Sequence, residues 1–345
     1  MVKLPPRVVA GDTVAIASPS WGALGRWPHR LKRGAAYLES LGLKVKIMPN
    51  ALKSEGWVAG TPQERADDVN AAFADPDIDV VMAAIGGNHS NQVAPLLDFD
   101  SISEHPKPFI GFSDMTVLHW AIHQRTGLVT FYGPSLVLGL AEDGVGEGLH
   151  VLEYTDRYFR AVLMGGDAIA YDAAPSWTQE FLDFDKKADV GKTRHKEPSP
   201  GWAVLREGEA RGPLLGGCLE TIAWHLKGSE WWLDLEGALL FLETSEEAPS
   251  PAHVDGYLTD FEQLGVFDAV TGLVVGRPAY YEHDDIELLY HVLHERTERA
   301  GIPVLANFDC GHTDPMATLP LGAEMQLDTG VGAFTTLAAP TAPRT

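Results

Sequence analysis

Short apolar runs alternate with helical patterns through the first part of the chain, and this alternation limits the possible folds more than any other feature. Buried strands separated by helices are typical of a mostly parallel sheet with helices on both faces. The capping box TPQE at 61–64, with proline at the first helical position, predicts the start of a helix, and another helix is expected at 29–40. The predicted strands are 13–17, 43–48, 78–85, 108–112 and 128–132.

A second series of strands and helices begins near Arg211, after a polar stretch at about 171–201 that is typical of an exposed loop. The 345 residues are enough for two hydrophobic cores. We therefore predict an α/β fold with an amino-terminal, mostly parallel sheet flanked by helices and a second, smaller α/β domain that carries antiparallel strands. The predicted divisions are an amino-terminal domain at 1–165, a connecting loop segment at 166–205, a carboxyl-terminal domain at 206–338 and a tail at 339–345. In the second domain we expect strands at 237–243, 270–275 and 303–308, helices at about 252–264 and 284–300, and antiparallel strands near 318–327 and 333–337.

Charge and composition exclude several classes of partner. Acidic side chains outnumber basic ones by 48 to 26, which gives a formal charge of −22. Such a surface repels phosphate backbones and anionic lipids, so we expect no nucleic-acid polymer and no membrane among the partners. The start MVKLPPRVVAGDTVAIASPS lacks a signal-peptide pattern and no apolar run approaches the ~18 residues of a membrane helix, so a cytoplasmic protein is expected. The two cysteines, Cys218 and Cys310, form no CxxC motif and indicate no disulfide framework.

The stretch PFIGFSDMTVLHWAIH at 108–123 places a lone Ser-Asp pair between a strand pattern and a helix pattern. One interpretation is structural: Ser113 occupies the N-cap position, where serine is favoured. The other is catalytic, because a serine on a strand-to-helix turn is held outward beside helix-start amides that can stabilise an oxyanion. The hydrolase elbow motif G-x-S-x-G is half present, since Gly111 fits and Met115 replaces the second glycine. These residues alone leave both interpretations open.

A nucleophilic serine needs a base, and the base needs a carboxylate that orients it. Glu243 follows the apolar strand ALLFL, and His312 follows the strand PVLANF in a loop rich in glycine and proline, so both would project from strand ends. Simpler alternatives exist. Glu243 could begin a solvated acidic loop with Glu246 and Glu247, and the histidine could cap a turn through Asp314. Triads are recognised by geometry and not by spacing, so the sequence does not decide between these readings.

Other classes of function find weaker support. A zinc hydrolase would need HExxH, whereas HVLHE at 291–295 sets His291 and His294 three residues apart with the glutamate after them. The glycines of GGNHSNQ at 86–92 and of the run 144–148 match neither G-x-G-x-x-G nor a P-loop. We therefore expect no metal and no cofactor. A catalytically silent ligand-binding protein on a hydrolase fold stays an alternative.

Four motifs occur in an order that resembles the LD-carboxypeptidase family of serine peptidases: GGN at 86–88, GFSD at 111–114, LFLET at 240–244 and GHTDPMATLPLG at 311–322. The segments VAIASPS, TGLVTFYGPSL at 126–136 and GPLLGG at 212–217 also fit, so the resemblance covers nearly the whole chain. It implies an α/β amino-terminal domain that carries the serine, a smaller carboxyl-terminal domain that supplies the glutamate and the histidine, and a homodimer.

The resemblance also implies roles for single residues. Ser113 would be the nucleophile, His312 the general acid and base, and Glu243 its orienting partner. The backbone amides of Gly87 and Asp114 would form the oxyanion hole, which agrees with a donor at a helix start and another in a glycine turn. With a histidine base, activity should fall below the histidine pKa, near ~6.5 if unperturbed.

Two branches of this family differ in substrate. One trims the terminal D-residue from murein tetrapeptides in cell-wall recycling, whereas the microcin-immunity branch detoxifies aminoacyl-nucleotides by cutting the aminoacyl bond. The phrases FDCGHTDPM and GNHSNQVAPLLD are more similar to the microcin-immunity branch. The expected substrate is therefore a small peptide or an aminoacyl-nucleotide, with the microcin-immunity type favoured over the murein tetrapeptide.

Five residues are expected to bind this substrate. Gly86 and Asn88 belong to the GGN motif, and Trp177 or Trp202 would stack on a nucleobase, an interaction worth roughly 1–3 kcal/mol per base. Trp177 is favoured, although each tryptophan fits an anchoring role equally well. Cys218 stands where the microcin-immunity pattern has asparagine. Because a thiol offers fewer hydrogen bonds than an amide, this pocket is expected to accept a different substrate from that of the microcin-immunity branch.

Overall fold

The structure is a computed structural model that describes residues 2–142 and 152–344. The glycine-rich run 144–148 lies outside the described residues. Within them the strands form a six-stranded sheet, an eight-stranded sheet and a two-stranded ribbon, which confirms the predicted α/β class. No helix in this part of the chain is both long enough and apolar enough to cross a bilayer.

The first sheet is built from the predicted amino-terminal strands. Its elements are β1 (Thr13–Ala17), α1 (Pro28–Ser40), β2 (Lys44–Ile47), α2 (Pro62–Ala74), β3 (Val80–Ala83), α3 (Phe99–Glu104), β4 (Phe109–Gly111), α4 (Thr116–Thr126), β5 (Thr130–Tyr132) and α5 (Glu153–Leu163). Strands β1 to β5 pair in parallel in the order β5-β4-β3-β1-β2. Every residue of β3 and β4 is buried, as expected for strands covered on both faces. The capping box is confirmed, because Thr61 and Glu64 exchange side-chain and backbone hydrogen bonds at the start of α2.

The second sheet combines parallel and antiparallel strands. Its part of the chain contains β6 (Ala170–Tyr171), β7 (Ser176–Trp177), β8 (Glu197–Pro198), β9 (Ala203–Arg206), β10 (Glu209–Cys218), α6 (Leu219–Thr221), β11 (Leu239–Glu243), α7 (Pro251–Gln263), α8 (Val266–Ala269), β12 (Gly272–Gly276), α9 (His283–Glu298), β13 (Val304–Phe308), β14 (Leu319–Leu321), β15 (Glu324–Asp328) and β16 (Ala333–Thr336). The strand order is β6-β16-β15-β10-β11-β12-β13-β9. Strands β10 to β13 are parallel, and the outer strands are antiparallel to their neighbours. Four short turns complete the elements: 3₁₀ turns at Ser90–Gln92, Ala94–Leu96 and Ser113–Met115, and a π turn at Ile222–Leu226.

The polar stretch 171–201 is more ordered than its composition predicts. It contains the antiparallel ribbon of β7 and β8, and it buries Thr178 and Asp189. An antiparallel bridge between Thr178 and Asp314 ties the stretch to the loop that follows β13. The stretch is mostly exposed, as expected, but it is not a simple loop, because Thr178 and Asp189 have partners elsewhere in the fold.

Strand β14 connects the two sheets. It pairs antiparallel with β5 of the first sheet, whereas β15, which follows it, pairs with β10 of the second. The loop between β13 and β14, which carries His312, therefore runs from the second sheet to the first. This crossing brings residues of the predicted carboxyl-terminal domain to the carboxyl ends of β3, β4 and β5, where parallel sheets usually hold ligands.

Candidate active site

Ser113 begins a 3₁₀ turn directly after β4 and has a left-handed backbone conformation, with φ at 64°. A residue other than glycine in this conformation stores roughly 1–3 kcal/mol of strain, and such residues are concentrated at functional sites. Its backbone N–H donates to the hydroxyl of Tyr132 at 2.9 Å, which helps to hold the turn. The serine hydroxyl caps neither the turn nor α4, so the N-cap interpretation is wrong. The side chain instead faces a cleft.

His312 lies with its imidazole ring between two carboxylates. Nδ1 is 2.8 Å from Oε2 of Glu243, and Nε2 is 3.1 Å from Oε2 of Glu246. Burial of the ring opposes protonation, but the negative charges of the two glutamates outweigh burial and raise the pKa of His312 well above 6.5. In the described part of the chain, Nε2 lies at ion-pair distance from Glu246, and no hydrogen bond joins it to the hydroxyl of Ser113. Asp314 binds Arg194 at 2.8 Å, which removes the basis of the turn-capping alternative.

Glu243 is the last residue of β11 and has no exposed surface. One carboxylate oxygen contacts His312, and the other accepts a hydrogen bond of 2.5 Å from the hydroxyl of Tyr132. The carboxylate fits because Gly311 has no side chain: a Cβ atom there would lie 2.7 Å from Oε2 of Glu243. The alternative in which Glu243 begins a solvated loop is therefore wrong, although the nearby Glu246 is exposed.

Tyr132, at the end of β5, is a site residue that the sequence reasoning missed. Its hydroxyl accepts from the N–H of Ser113 and donates to Glu243, so it joins the serine turn to the buried carboxylate. Burial and then the charge of Glu243 raise the pKa of this tyrosine well above 10, so the phenol keeps the proton that it donates. The available signal was its position at the carboxyl end of a parallel strand, like that of Ser113.

The glycine turn after β3 approaches Ser113 closely. A Cβ atom on Gly86 would lie 2.9 Å from Cβ and 3.1 Å from Oγ of Ser113. Gly87 has φ at 141°, and a Cβ atom there would lie 2.4 Å from Oγ of Ser20. Gly86 thus has to be glycine for its backbone to lie beside the side chain of Ser113, and Gly87 for its backbone to lie beside that of Ser20.

The buried carboxylate of Asp114 holds this turn in place. It accepts the backbone N–H groups of His89 and Ser90, both at 2.9 Å. Within residues 2–142 and 152–344, the amides of Gly87 and Asp114 donate to no acceptor of the chain. The two amides that the family resemblance assigns to an oxyanion hole are therefore available for one.

A cleft of about 620 Å³ opens at these residues. Ser113, Gly86, Gly87 and His312 all line it, so the structure brings them to one surface. One wall is formed by the stretch 178–194, which comes from the connecting segment. Several lining side chains are aromatic residues that the sequence reasoning did not single out: Trp21, Trp27, Phe181, Phe184 and Tyr280.

Ion pairs hold the stretch 178–194 at the cleft. Arg30 of α1 is almost fully buried and contacts Glu142 at 2.6 Å and Asp189 at 3.2 Å. Arg194 contacts Glu142 at 2.9 Å and Asp314 at 2.8 Å. Because breaking one partner of a buried ion pair leaves an unpaired charge, this network makes the stretch a fixed wall of the cleft.

The two tryptophans proposed as stacking residues lie outside the lining of this cleft. Trp177 lies against the guanidinium of Arg277, 5.0 Å from the ring centroid. Trp202 donates from its indole N–H to Asp309 at 3.1 Å. These contacts are those of anchoring residues, and the stacking role stays a prediction.

Asn88 and Cys218 also lie outside the lining. The amide oxygen of Asn88 is 2.6 Å from Nε2 of His225. Cys218 is buried at the end of β10, opposite Glu243 in the parallel register, and its N–H donates to Thr116 at 3.0 Å. Cys218 therefore lies on the strand next to Glu243 and does not line the cleft. The substrate-binding role predicted for Asn88 and Cys218 stays a prediction.

The residues considered for zinc lie elsewhere. His291 and His294 are on α9, where His291 pairs with Glu295 on an exposed face. Among the residues that the structure describes, no group of three or more His, Cys, Asp or Glu side chains could hold a metal ion.

Known proteins share both the sequence pattern and the fold. Models of the LD-carboxypeptidase N-terminal and C-terminal domains match residues 14–133 and 211–327. The chain is similar to the microcin C7 self-immunity protein MccF of Escherichia coli, with 32% identity over 93% of this chain and 92% of that protein. It is equally similar to a probable murein peptide carboxypeptidase of Bacillus subtilis, with 32% identity over 94% and 91%.

A solved structure of MccF in complex with glutamyl sulfamoyl guanosine has the same fold. The TM-score is 0.88 at 30% identity, over 98% of this chain and 99% of that chain. The family and the fold expected from the motifs are thus confirmed. The chain belongs to the LD-carboxypeptidase family, peptidase family S66, and is a hydrolase of that family.

Proposed function

We propose that the protein is a serine peptidase in which Ser113, His312 and Glu243 form a catalytic triad. The observation that carries this proposal is the 2.8 Å contact between Nδ1 of His312 and the fully buried carboxylate of Glu243, in a cleft that Ser113 also lines. A buried carboxylate on Nδ1 fixes the ring so that Nε2 can exchange a proton with a nucleophile. The strained backbone of Ser113 supports the role of nucleophile.

In this mechanism Nε2 of His312 takes the proton of Ser113 as Oγ attacks an amide carbonyl. The carbonyl oxygen becomes an oxyanion against the amides of Gly87 and Asp114, and loss of one such donor typically costs ~10²–10³ in turnover. His312 then gives its proton to the leaving nitrogen as the C–N bond breaks. Water, deprotonated by the same imidazole, attacks the acyl carbonyl, the bond from that carbon to Oγ breaks, and His312 returns the proton to Ser113.

The contact between His312 and Glu246 belongs to the free protein and must open before this chemistry. The side chain of Glu246 is 64% exposed, so it can turn toward solvent without the loss of packing. Glu243 is fully buried and stays in place. The imidazole thereby keeps its orienting partner while Nε2 becomes available to Ser113.

The substrate that we propose is a small peptide or an aminoacyl-nucleotide, with the aminoacyl-nucleotide favoured. A cleft of about 620 Å³ suits a ligand of this size. Its aromatic lining offers faces for a nucleobase, and a relative with 30% identity has been solved with glutamyl sulfamoyl guanosine bound. The homodimer that the family resemblance implies stays a prediction.

The test offers the purified protein an aminoacyl sulfamoyl adenosine and a murein tetrapeptide side by side, with the products identified by mass spectrometry. We expect hydrolysis of the aminoacyl compound, and a drop of roughly 10⁴-fold or more in Ser113→Ala, since removing such a serine elsewhere costs about 10⁶. Ser40→Ala, at the exposed end of α1, is the matched control and should keep full activity. Cleavage of the tetrapeptide alone would assign the murein branch. Binding without hydrolysis, equal in the wild type and Ser113→Ala, would identify a silent binding protein and refute the proposal.

A further inference from the structure

The acidic side chains of the cleft differ in how they are paired. Most of them contact a basic side chain: Glu142, Asp189 and Asp314 contact arginines of the buried network, Asp185 contacts Arg26, and Asp183 contacts Lys186. Glu180 accepts the backbone N–H of His195. In the described part of the chain, the ion-pair partner of Glu246 is His312 and no lysine or arginine.

Glu246 is also the acidic residue that lies next to the proposed chemistry. Its carboxylate is 3.1 Å from Nε2 of His312, the nitrogen that must exchange a proton with Ser113. A group bound by Glu246 would therefore lie close to the scissile carbonyl. The exposed side chain leaves this carboxylate accessible to a ligand that enters the cleft.

The same contact blocks the free enzyme. An imidazole that faces a carboxylate at each nitrogen is stabilised as the doubly protonated cation, and that cation cannot act as a base. Partial desolvation in the cleft raises the pKa of Glu246, but the positive charge of His312 lowers it by more, so the carboxylate is ionised at neutral pH. A cation on the substrate would compete with His312 for this carboxylate and favour the conformation in which Glu246 has left Nε2.

We propose that Glu246 binds an ammonium group on the acyl part of the substrate, and that this binding releases Nε2 of His312 for catalysis. The inference rests on the proposed function, since it assumes that Ser113 and His312 react with that acyl group. It makes Glu246 a specificity-determining residue that couples recognition of a cationic substrate to activation of the base.

The other charged groups near this pair do not replace Glu246. Glu243 contacts the opposite nitrogen of His312 and is enclosed by the fold. Tyr280 lies across the cleft, where burial and then the charge of Glu246 raise the pKa of its phenol, so it stays neutral. Arg194 and Asp314 neutralise each other at 2.8 Å. The remaining carboxylate that a substrate cation can reach near Nε2 is therefore that of Glu246.

The experiment compares acyl groups that differ by one ammonium: alanyl against propionyl for an α-ammonium, and lysyl against norleucyl for a side-chain ammonium. Each pair is joined to sulfamoyl adenosine or to D-alanine, whichever leaving group the wild type hydrolyses. We expect the wild type to favour the ammonium compound of at least one pair by about tenfold or more in kcat/KM. Glu246→Gln should reduce that preference to near unity. Glu247→Gln, with the same charge change at an exposed neighbour outside the cleft lining, should keep it.

A pH profile separates this role from a structural one. In Glu246→Gln the acidic limb of kcat/KM should move to lower pH, because His312 then has one carboxylate neighbour instead of two. Urea unfolding midpoints of both variants show whether either change affects folding. If Glu246→Gln keeps both the preference for the ammonium compound and the wild-type position of the acidic limb of kcat/KM, while Ser113→Ala is inactive, the inference is overturned and the proposed function stands. If the wild type hydrolyses neither leaving group, the proposed function fails and the inference fails with it.

Discussion

Replacing Tyr132 with phenylalanine removes one oxygen atom from the centre of the candidate site. That oxygen accepts the N–H of Ser113 at 2.9 Å and donates to Glu243 at 2.5 Å, and the ring is completely buried. The variant therefore leaves a half-buried N–H and a buried carboxylate oxygen each without this partner. Each loss costs about 1–3 kcal/mol, so the free energy of unfolding should fall by about 2–6 kcal/mol.

The same change should lower activity beyond its effect on stability. Tyr132 is the residue that bonds directly to both the turn of Ser113 and Glu243, and a displacement of a reacting group by about 1 Å can cost about 10²-fold. We expect kcat/KM of Tyr132→Phe to fall by about 10–100-fold, measured below its unfolding temperature on the substrate that the wild type hydrolyses.

Tyr37→Phe is the matched control. The hydroxyl of Tyr37 donates to a carboxylate oxygen of Asp156 at 2.7 Å, its ring is 4% exposed, and it does not line the cleft. This variant should lose about 1–3 kcal/mol of stability and keep the kcat/KM of the wild type. If Tyr132→Phe behaves in the same way, with normal kcat/KM and no larger loss of stability, the reasoning about the bridge is refuted.

Two further results can be expected from the site geometry. Gly86→Ala would place a Cβ atom 2.9 Å from Cβ and 3.1 Å from Oγ of Ser113, so kcat/KM should fall by about tenfold or more. Gly256→Ala in α7, where a Cβ atom would have no described atom within 4 Å, should leave kcat/KM unchanged. Equal activity of the two variants would contradict the close approach of Gly86 to Ser113. The kcat/KM of the wild type should rise with pH along a limb centred above 6.5, because two carboxylate neighbours outweigh burial and raise the pKa of His312, and kcat/KM reports the free enzyme. A limb at or below 6.5 would show that the imidazole is not paired on both sides.

Local sequence signals predicted the parts of the fold that depend on local physics. The strand expected at 303–308 is Val304–Phe308 in the structure, and the helix expected at 29–40 is Pro28–Ser40. The capping box of Thr61 needs only neighbours three residues away, so it could be read directly. The positions of Ser113 and Glu243 at strand ends were predictable for the same reason.

Contacts between distant residues could not be predicted in this way. Tyr132 and Glu243 are 111 positions apart, and no periodicity relates them. The stretch 171–201 resembled an exposed loop because its charges are visible in the sequence, whereas the arginine of α1 that pairs with Asp189 lies 159 positions away. Trp177 was expected in the site because the resemblance to the microcin-immunity branch implies an aromatic residue on such a loop, but it packs on Arg277, which the sequence does not connect to it.

The crossing of β14 means that the loop of His312 links the two sheets. One end of the loop is fixed in the second sheet by β13, and the other end is fixed in the first sheet by the pairing of β14 with β5. After a proteolytic cut in the connecting segment, the pairing of β14 with β5 would therefore still hold the two fragments together, with the imidazole still beside Glu243. Separation of β14 from β5 would part the two fragments and, in the same movement, take the imidazole of His312 out of the cleft.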